Sequence, residues 1–360
     1  MSVIRMGANI LGRVIRQKLG VDSYSLRFQG WSAHEYLTYS AGLNLDTVQF
    51  SDRANLASLE PGYLAELTAE AKRLHIEIEL GMGSFDRFAA SFKIERGTAE
   101  EQLGVMIEAA ARVGSPVVRC FLGDQRDRNG VTPFFEHLAE CRRVLHAVAP
   151  LARDRGVKIA VENHGGVDVL ARELRTLIED VGFDVVGACL DTGNPAYGGE
   201  DPEFCVEIMA EYSITTHFRD TAVWEAADGA MAQWVGLGEG NVDLRACLAT
   251  LATKAPDCPI DLEIITGAPP SSVPFLAADG QFWRANPDVP ARDFARFVRL
   301  ARNGTSRGIG PRRQVVAPRA GDPPADLFEA LRVQQRADFE ASVRYARGVL
   351  GLGRNGRAES

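Results

Sequence analysis

Short apolar segments alternate with amphipathic helical patterns along most of this chain, and this alternation restricts the possible folds more than any other feature. Each apolar segment has the character of a buried strand and ends in polar residues or glycine. The eight segments cover residues 21–28, 43–50, 76–80, 116–122, 157–161, 185–190, 214–217 and 260–264. Strand followed by helix, repeated over about 250 residues, predicts a closed (β/α)8 barrel, an α/β fold.

The helical patterns between these segments carry signals that are typical of helix ends. Pro61 and Pro202 lie where first-turn prolines are favoured, and Gly114, Gly156 and Gly182 directly follow the patterns that they end. An open doubly wound sheet is the competing architecture, but the GxGxxG fingerprint of a Rossmann domain is missing near the first strand. We therefore expect barrel helices at residues 60–74, 99–113, 133–155, 167–181, 202–212 and 242–254.

The pattern changes after the eighth predicted strand. Residues 268–289 are rich in proline and aromatic residues, and a helix is predicted at 291–303. Residues 304–324 are rich in glycine, proline and arginine, which indicates a long loop. A last amphipathic helix is predicted at 326–350, followed by a frayed tail. We expect residues 1–303 to form the barrel with its insertion, and 304–360 to pack on it.

Composition limits the classes of partner and location. The 360-residue chain has a formal net charge of −8, which argues against a nucleic-acid partner. No apolar run approaches the roughly 20 residues of a membrane span, and the N-terminus lacks the unbroken apolar stretch of a signal peptide. Scattered cysteines without a CxxC pair are expected to be reduced and buried, as in a cytoplasmic protein. They are Cys120, Cys141, Cys189, Cys205, Cys247 and Cys258.

Each of the last four predicted strands delivers a residue with a metal-binding side chain. In a barrel the ends of the strands meet at one mouth, where the site is built. Three carboxylates and one imidazole, without a thiolate, suit a cation such as Mn²⁺ or Mg²⁺. Three carboxylates would also repel one another without a cation between them. On strands five to eight the residues are Glu162, Asp191, His217 and Glu263.

Each of these residues also has an ordinary structural interpretation when it is taken alone. Asp191 could cap the helix that follows its strand, and His217 could be a strand-end histidine with satisfied hydrogen bonds. The occurrence of four such residues at four successive strand ends favours a metal site over four unrelated structural roles.

The order Glu, Asp-Thr-Gly, His, Glu on strands five to eight resembles the xylose-isomerase-like TIM-barrel superfamily, which includes sugar isomerases, ketose 3-epimerases and inosose dehydratases. The resemblance covers residues 20–267, and the stretch GLGEGNVD at 236–243 is also typical. It implies one divalent metal, Mn²⁺ or Mg²⁺, bound by the four residues just named. It further implies that a proton is removed from the carbon next to the carbonyl of a keto-sugar.

The base that removes this proton has more than one candidate. It could be Glu162 or Glu263, which flank the sugar in the epimerases that this chain resembles. It could instead be His164, since an unperturbed imidazole has a pKa near neutrality. Two departures from many members of the superfamily are Asn194, where they have histidine, and Arg219, where they have lysine.

The motifs Glu-Asn-His-Gly-Gly, Asp-Thr-Gly-Asn-Pro and His-Phe-Arg-Asp together resemble the α-subunits of C-glycoside deglycosidases. This narrower resemblance implies that His164 is the base and that the substrate is a 3-keto-glycoside. Removal of the proton at C2 then expels the aglycone by β-elimination. It also implies a small β-subunit as partner, and we expect an oligomer.

Other residues at the predicted mouth are candidates for substrate binding. Arg119, at the predicted strand four, can reach a substrate oxygen or pair with a barrel carboxylate. Asn163, Asn194 and Arg219 follow the predicted metal ligands along the chain. These four residues are predicted to bind the substrate, while His164, Glu162 and Glu263 are the predicted catalytic residues.

The sequence thus leaves two functions open. The first is a metal-dependent lyase that acts on a 3-keto-glycoside, and the second is an isomerase or epimerase of a ketose or inosose. The superfamily also includes an apurinic endonuclease with three zinc ions, but this chain has only six histidines and a negative net charge. A sugar-binding protein without catalysis is disfavoured because all four ligand types are intact.

Overall fold

Eight parallel strands form the central sheet in the computed structural model, which describes residues 17–318 and 324–353. Together with a smaller sheet, the strands of the described residues are β1 (Leu19–Asp22), β2 (Thr47–Phe50), β3 (Glu77–Ser84), β4 (Val117–Phe121), β5 (Lys158–Glu162), β6 (Val186–Asp191), β7 (Ser213–His217), β8 (Asp220–Ala226), β9 (Gly229–Val235), β10 (Ile260–Leu262) and β11 (Ser271–Val273). The order in the central sheet is β10-β1-β2-β3-β4-β5-β6-β7.

The sheet closes on itself between β7 and β10. Phe218 forms a parallel bridge with Leu262, and its N–H donates to the carbonyl of Asp261 at 2.8 Å. On the other side, β1 pairs with both β2 and β10. The predicted (β/α)8 TIM barrel is therefore confirmed.

Helices surround the barrel and fill the connections between strands. Several carry the end signals that the sequence indicates. For α3, the Thr98 side chain accepts from Glu101 N, and Gly114 ends the helix in the left-handed region at φ 77°. The helices are α1 (Ala33–Gly42), α2 (Pro61–Leu74), α3 (Ala99–Val113), α4 (Gln125–Arg128), α5 (Phe134–Arg155), α6 (Ala171–Val181), α7 (Pro202–Met209), α8 (Leu244–Lys254), α9 (Gln281–Ala285), α10 (Ala291–Ser306) and α11 (Ala325–Gly348).

The first strand differs from the prediction of residues 21–28. β1 stops at Asp22, whose side chain accepts a hydrogen bond from Tyr24 N and starts a 3-10 helix over Ser23–Gln29. Local capping by the aspartate outweighs the strand preference of the aromatic and branched residues that follow it.

A β-hairpin that the strand prediction missed lies between the seventh and eighth barrel strands. β8 and β9 pair antiparallel, and β11 adds to the edge of β9. Helix α10 packs beneath this small sheet, and the two share a core of Val223, Ala232, Val273 and Phe297. The insertion after β10 is thus a structured subdomain beside the barrel mouth.

The C-terminal helix α11 packs on the barrel. Phe339, Val343 and Leu350 belong to the same apolar core as the barrel strands. The predictions for residues 1–16 and 354–360, including the mature N-terminus and most of the frayed tail, lie outside the described residues. Among the helices that are described, none is both long and apolar enough to cross a membrane.

Candidate metal centre

The four predicted ligands meet at the carboxyl end of the barrel. Glu162, Asp191 and His217 are the last residues of β5, β6 and β7, and Glu263 directly follows β10. Each offers one ligand atom, and these atoms lie within 4.8 Å of one another. Parallel strands place these side chains together because their carboxyl ends share one edge. Burial is nearly complete, with 5% exposure for Glu263 and none for the other three.

His217 directs its Nδ1 toward this cluster and its Nε2 toward Gln49. Its Nε2 lies 2.6 Å from Gln49 Oε1, and Gln49 Nε2 donates to Glu79 Oε2 at 2.9 Å, which fixes the orientation of the amide. Because an amide oxygen only accepts, the proton of the neutral imidazole lies on Nε2. Nδ1 then carries the lone pair, and it has no hydrogen-bond partner among the described residues.

The surroundings of His217 Nδ1 call for a positive charge. It lies 3.1 Å from Glu162 Oε1 and 3.4 Å from Glu263 Oε2. Burial opposes a charged imidazole, but the nearby negative groups raise the pKa of His217 well above its ordinary value. A lone pair facing two carboxylate oxygens fits a divalent cation, and the donor set of three carboxylates and an imidazole is one that Mn²⁺, Mg²⁺ or Zn²⁺ accepts.

Arg119 holds Glu162 from the side that faces away from the cluster. Its Nε donates to Glu162 Oε2 at 2.6 Å, and its Nη2 donates to the same oxygen. Burial acts against ionisation, yet Arg119 and His217 keep the pKa of Glu162 well below its usual range. Oε1 remains available to the centre. The structure therefore places Arg119 against a barrel carboxylate, one of its two predicted positions.

Arg219 occupies the opposite side, where it lies against Asp191 and Glu263 and 3.8 Å from Glu162 Oε1. Its Nε donates to Asp191 Oδ2 at 2.7 Å. Its Nη2 lies 2.6 Å from Glu263 Oε2, an ion-pair contact without hydrogen-bond geometry. Despite the opposing effect of burial, Arg219 and His217 lower the pKa of Glu263 to about 2. The guanidinium also lies 5.0 Å from the ring centre of Trp234 on β9, which limits its movement.

The two asparagines differ in what they leave free. Asn163 Oδ1 accepts from Asp191 N at 2.9 Å and its Nδ2 donates to Asp191 O at 3.0 Å, so its amide ties β5 to β6. Asn194 Nδ2 donates to Asn163 O at 2.9 Å. Its buried Oδ1 has no hydrogen-bond partner within residues 17–318 and 324–353. Asn194 therefore keeps an acceptor beside the ligands.

His164 lies partly buried next to the cluster, after β5. Its ring stacks on Phe121 with 3.7 Å between centroids. Nδ1 lies 2.9 Å from the carbonyl oxygen of Gly123, and because a carbonyl only accepts, Nδ1 carries the proton. Burial lowers the pKa of His164, and the charge of Glu162 opposes this effect only in part. The imidazole is thus neutral, with an unprotonated Nε2.

Two buried residues that support the site were not found from the sequence. Gln49, on β2, orients His217. Asp168, in the loop after β5, accepts a hydrogen bond from His164 N at 2.8 Å. A single glutamine in an apolar strand and a single aspartate in a loop give no sequence signal that separates these roles from ordinary ones.

The fold and these converging side chains define a (β/α)8 protein with a candidate metal centre at the barrel mouth. The family model described as "Xylose isomerase-like TIM barrel" matches residues 37–285, more than half of the chain. The chain therefore belongs to this family. The family resemblance drawn from the strand-end residues is confirmed.

A curated relative is similar to part of the chain. It is the 3-oxo-isoapionate decarboxylase of Pectobacterium atrosepticum, 24% identical over 210 residues that cover 56% of this chain. The match spans 66% of that relative's length, just under two thirds.

Solved structures with the same fold have lower identities. D-psicose 3-epimerase with D-tagatose, from Clostridium cellulolyticum H10, is 14% identical with a TM-score of 0.55, covering 81% of this chain and 99% of the other. A xylose isomerase-like TIM barrel protein from Mycobacterium smegmatis in complex with magnesium is 14% identical with a TM-score of 0.54, covering 80% and 98%. At these identities the likeness shows the fold alone.

Proposed function

We propose that this chain is a divalent-metal-dependent lyase that acts on a 3-keto-glycoside. It removes the proton next to the ketone and eliminates the aglycone. One observation carries the proposal: His164, two residues after the ligand Glu162, donates from Nδ1 to Gly123 O at 2.9 Å, which leaves its Nε2 unprotonated. Glu162 and Glu263, the other candidates for the base, are each in contact with an arginine.

The side chains of Glu162, Asp191, His217 and Glu263 would hold the cation, for which we propose Mn²⁺ or Mg²⁺. A bound divalent cation would polarise the substrate carbonyl and stabilise negative charge that develops on its oxygen. Asn194 Oδ1, buried and unpartnered among the described residues, is the best placed of the predicted substrate-binding atoms to accept from a sugar hydroxyl. Arg119, Asn163 and Arg219 support this pocket through their contacts with the ligands.

The elimination needs one base and one departing group. His164 Nε2 takes the proton from C2, next to the C3 ketone. The electron pair of the C–H bond becomes the second bond between C1 and C2. The bond from C1 to the aglycone breaks, and its electron pair leaves with the aglycone, which then takes up a proton.

The carboxylates are poor bases in this arrangement. Both hydrogen bonds from Arg119 go to Glu162 Oε2, and Arg219 contacts Glu263 Oε2 at 2.6 Å. A carboxylate paired with a buried guanidinium gives up this stabilisation when it accepts a proton. Proton abstraction by His164 avoids that cost, which favours elimination over a reaction that needs two glutamates.

The curated relative gives independent support. By its name it is a decarboxylase of a 3-oxo compound. Loss of carbon dioxide next to a ketone leaves an enolate, the same kind of charge that follows proton removal from a 3-keto-glycoside. A centre that stabilises this charge serves both reactions.

An isomerase or epimerase of a ketose or inosose is the second candidate. It is favoured by the presence of Glu162 and Glu263 in one cluster, 3.1 and 3.4 Å from the same nitrogen of His217. Two carboxylates on different strands could exchange protons with opposite faces of a sugar. This function shares the metal and the enolate with the lyase but does not release an aglycone.

The two candidates are distinguished by incubating the Mn²⁺-loaded protein in D₂O with a 3-keto-glycoside and, separately, with a ketose. Release of the aglycone supports the lyase. Deuterium incorporation with formation of a new epimer, and no release of aglycone, would contradict the lyase activity and support the epimerase activity. In the same assay we expect His164→Ala to lose activity, while His146→Ala, which changes a half-exposed histidine of α5, retains it.

We also propose that the chain associates with a small β-subunit and forms an oligomer, since the narrower resemblance implies the first. Light scattering coupled to size exclusion, on protein isolated from its source, measures both. A single species with the mass of one 39.1 kDa chain would contradict both parts.

A further inference from the structure

The carboxylate of Asp168 is buried at the barrel mouth and accepts hydrogen bonds from the backbone of two loops. Its Oδ2 accepts from Leu122 N at 3.1 Å and from Gly123 N at 3.0 Å. Its Oδ1 accepts from His164 N at 2.8 Å. The residue is 2% exposed. The carboxylate thus connects the loop after β4 to the loop after β5.

The residues that Asp168 holds are the two partners of the hydrogen bond that sets the tautomer of His164. Gly123 supplies the carbonyl oxygen that accepts from His164 Nδ1 at 2.9 Å. One carboxylate therefore binds the backbone N–H of both the donor residue and the acceptor residue. Movement of either loop would break the bond that keeps Nε2 unprotonated.

The two loops are in direct contact, so their relative position is sensitive to the hydrogen bonds that the Asp168 carboxylate accepts, which we call the Asp168 clamp. Gln125 N donates to Gly165 O at 3.1 Å across the two loops. Within the loop after β5, Asp168 N donates to His164 O at 2.7 Å. At Gly165, which has a φ of +60°, a Cβ atom would lie 2.6 Å from the Cβ of Asp124. The two loops therefore approach each other too closely at this point for a side chain at position 165.

Other interactions of Asp168 do not explain its buried carboxylate. Arg128 contacts only the backbone carbonyl of Asp168, at 3.2 Å, and directs its guanidinium to Glu173 at 2.8 Å. The carboxylate accepts its three hydrogen bonds from the backbone N–H groups of residues 122, 123 and 164. The carboxylate is therefore committed to the geometry around His164.

We infer that Asp168 is a positioning residue that holds the His164 imidazole in the tautomer with Nε2 free to act as a base. The inference rests on the proposed function for its catalytic consequence, but the tautomer itself is a property of the chain. When the clamp is lost, His164 populates the tautomer with the proton on Nε2, which cannot accept a proton there. A base held in the wrong tautomer lowers kcat more than it changes substrate binding.

The test compares Asp168→Asn with Asp86→Asn in the full-length protein. Asp86, in the loop after β3, is a matched control because its carboxylate is also buried and contacts a histidine, His137 of α5. With Mn²⁺ and a 3-keto-glycoside, we expect Asp168→Asn to lower kcat about 10- to 100-fold with KM nearly unchanged, and Asp86→Asn to lower it less than about threefold.

The tautomer is measured without turnover, by ¹⁵N–¹H correlation spectra of histidine-labelled protein with Mg²⁺. His164→Ala assigns the signal. In the wild type, Nδ1 should be the protonated nitrogen, and in Asp168→Asn a substantial fraction should shift to Nε2. If no substrate turns over, the proposed function fails while these spectra still decide the positioning role.

Three results would overturn the inference. They are a wild-type His164 with its proton on Nε2, an Asp168→Asn variant with wild-type tautomer and kcat, and an equal loss of kcat in Asp86→Asn. Should Asp168→Asn not fold, Asp168→Glu replaces it, because it keeps the charge but moves the carboxylate by one methylene. We expect Asp168→Glu to move the His164 proton from Nδ1 to Nε2 in a smaller fraction of molecules. The absence of this shift would contradict the positioning role of Asp168.

Discussion

Arg119 and Arg219 offset part of the negative charge of the three carboxylates that are buried at the barrel mouth. Arg119 pairs with Glu162, and Arg219 contacts Asp191 and Glu263. All five side chains are at most 6% exposed. A buried charge that loses its partner is costly, because water cannot replace the interaction. Each arginine therefore stabilises the folded protein, but its positive charge also lowers the affinity of the site for a cation.

Replacing Arg119 by methionine should destabilise the metal-free protein by about 3–5 kcal/mol, since the buried Glu162 loses the guanidinium that binds its Oε2. A divalent cation should restore part of this loss, because it supplies the missing positive charge. Denaturant unfolding with and without Mg²⁺ measures both effects. Arg143→Met is the control. The Arg143 side chain is 53% exposed, so its ion pairs with Glu100 and Glu140 should contribute about 1 kcal/mol or less to the free energy of unfolding.

Replacing Gln49 by leucine should weaken metal binding by about 10- to 100-fold, because the amide that orients His217 is removed. Isothermal titration with Mg²⁺ and Mn²⁺ provides the measurement. Gln17→Leu is a matched control, as Gln17 is also a buried glutamine but donates to Cys258 O at 3.2 Å, away from the ligands. Equal affinities in the two variants would contradict the orienting role of Gln49.

The residues of the site divide by how far their partners lie along the chain. Glu162, Asp191, His217 and Glu263 could be predicted because each ends its own strand, and the barrel brings strand ends together. Gln49 could not, because its bond to His217 joins residues 168 positions apart. Only the closed barrel places β2 opposite β7, so no local pattern marks this pair.

The β8–β9 hairpin shows how a local signal was available but outweighed by the barrel repeat. Asp228-Gly229 lies at its turn, a pair that is typical of hairpins. The strand prediction treated the segment after His217 as a connection to the next helix, since a barrel needs one there. Short antiparallel insertions are therefore easily missed inside a regular α/β repeat.

Helix α10 supports this hairpin through Phe297, which is fully buried in the core of the insertion. Phe297→Ala should lower the stability of the insertion by about 3–5 kcal/mol, because it leaves a cavity in this core. We expect faster hydrogen exchange in β8 and β9 and unchanged exchange in β5 and β6. Phe339→Ala, at an equally buried phenylalanine of α11 whose ring lies 6.5 Å from that of Tyr39 on α1, should instead speed exchange in α1 and leave β8 and β9 unchanged. Identical exchange maps for the two variants would mean that the insertion and the barrel open together.

The barrel as a whole followed from the sequence because its alternation is regular and its strands are apolar on both faces. Its electrostatics did not follow, since they depend on which carboxylates are buried without a cation. Glu200 is such a group: it is 9% exposed, and both of its oxygens lie 3.3 Å from Ala171 N. Burial raises the pKa of Glu200 from its ordinary value of 4.5 to about 8.

A raised pKa means that the folded chain favours the neutral form of Glu200 more than the unfolded chain does. The resulting stability is complete below pH 4.5 and is lost as the pH rises through about 8. Between about pH 6 and about pH 9 the free energy of unfolding should fall by roughly 3 kcal/mol from this group. Glu200→Gln keeps the shape and removes the titration, so its stability should vary less over that interval. Glu207→Gln, at a 53% exposed position of α7, should follow the wild type, and denaturant unfolding at the two pH values tests whether Glu200 accounts for the difference.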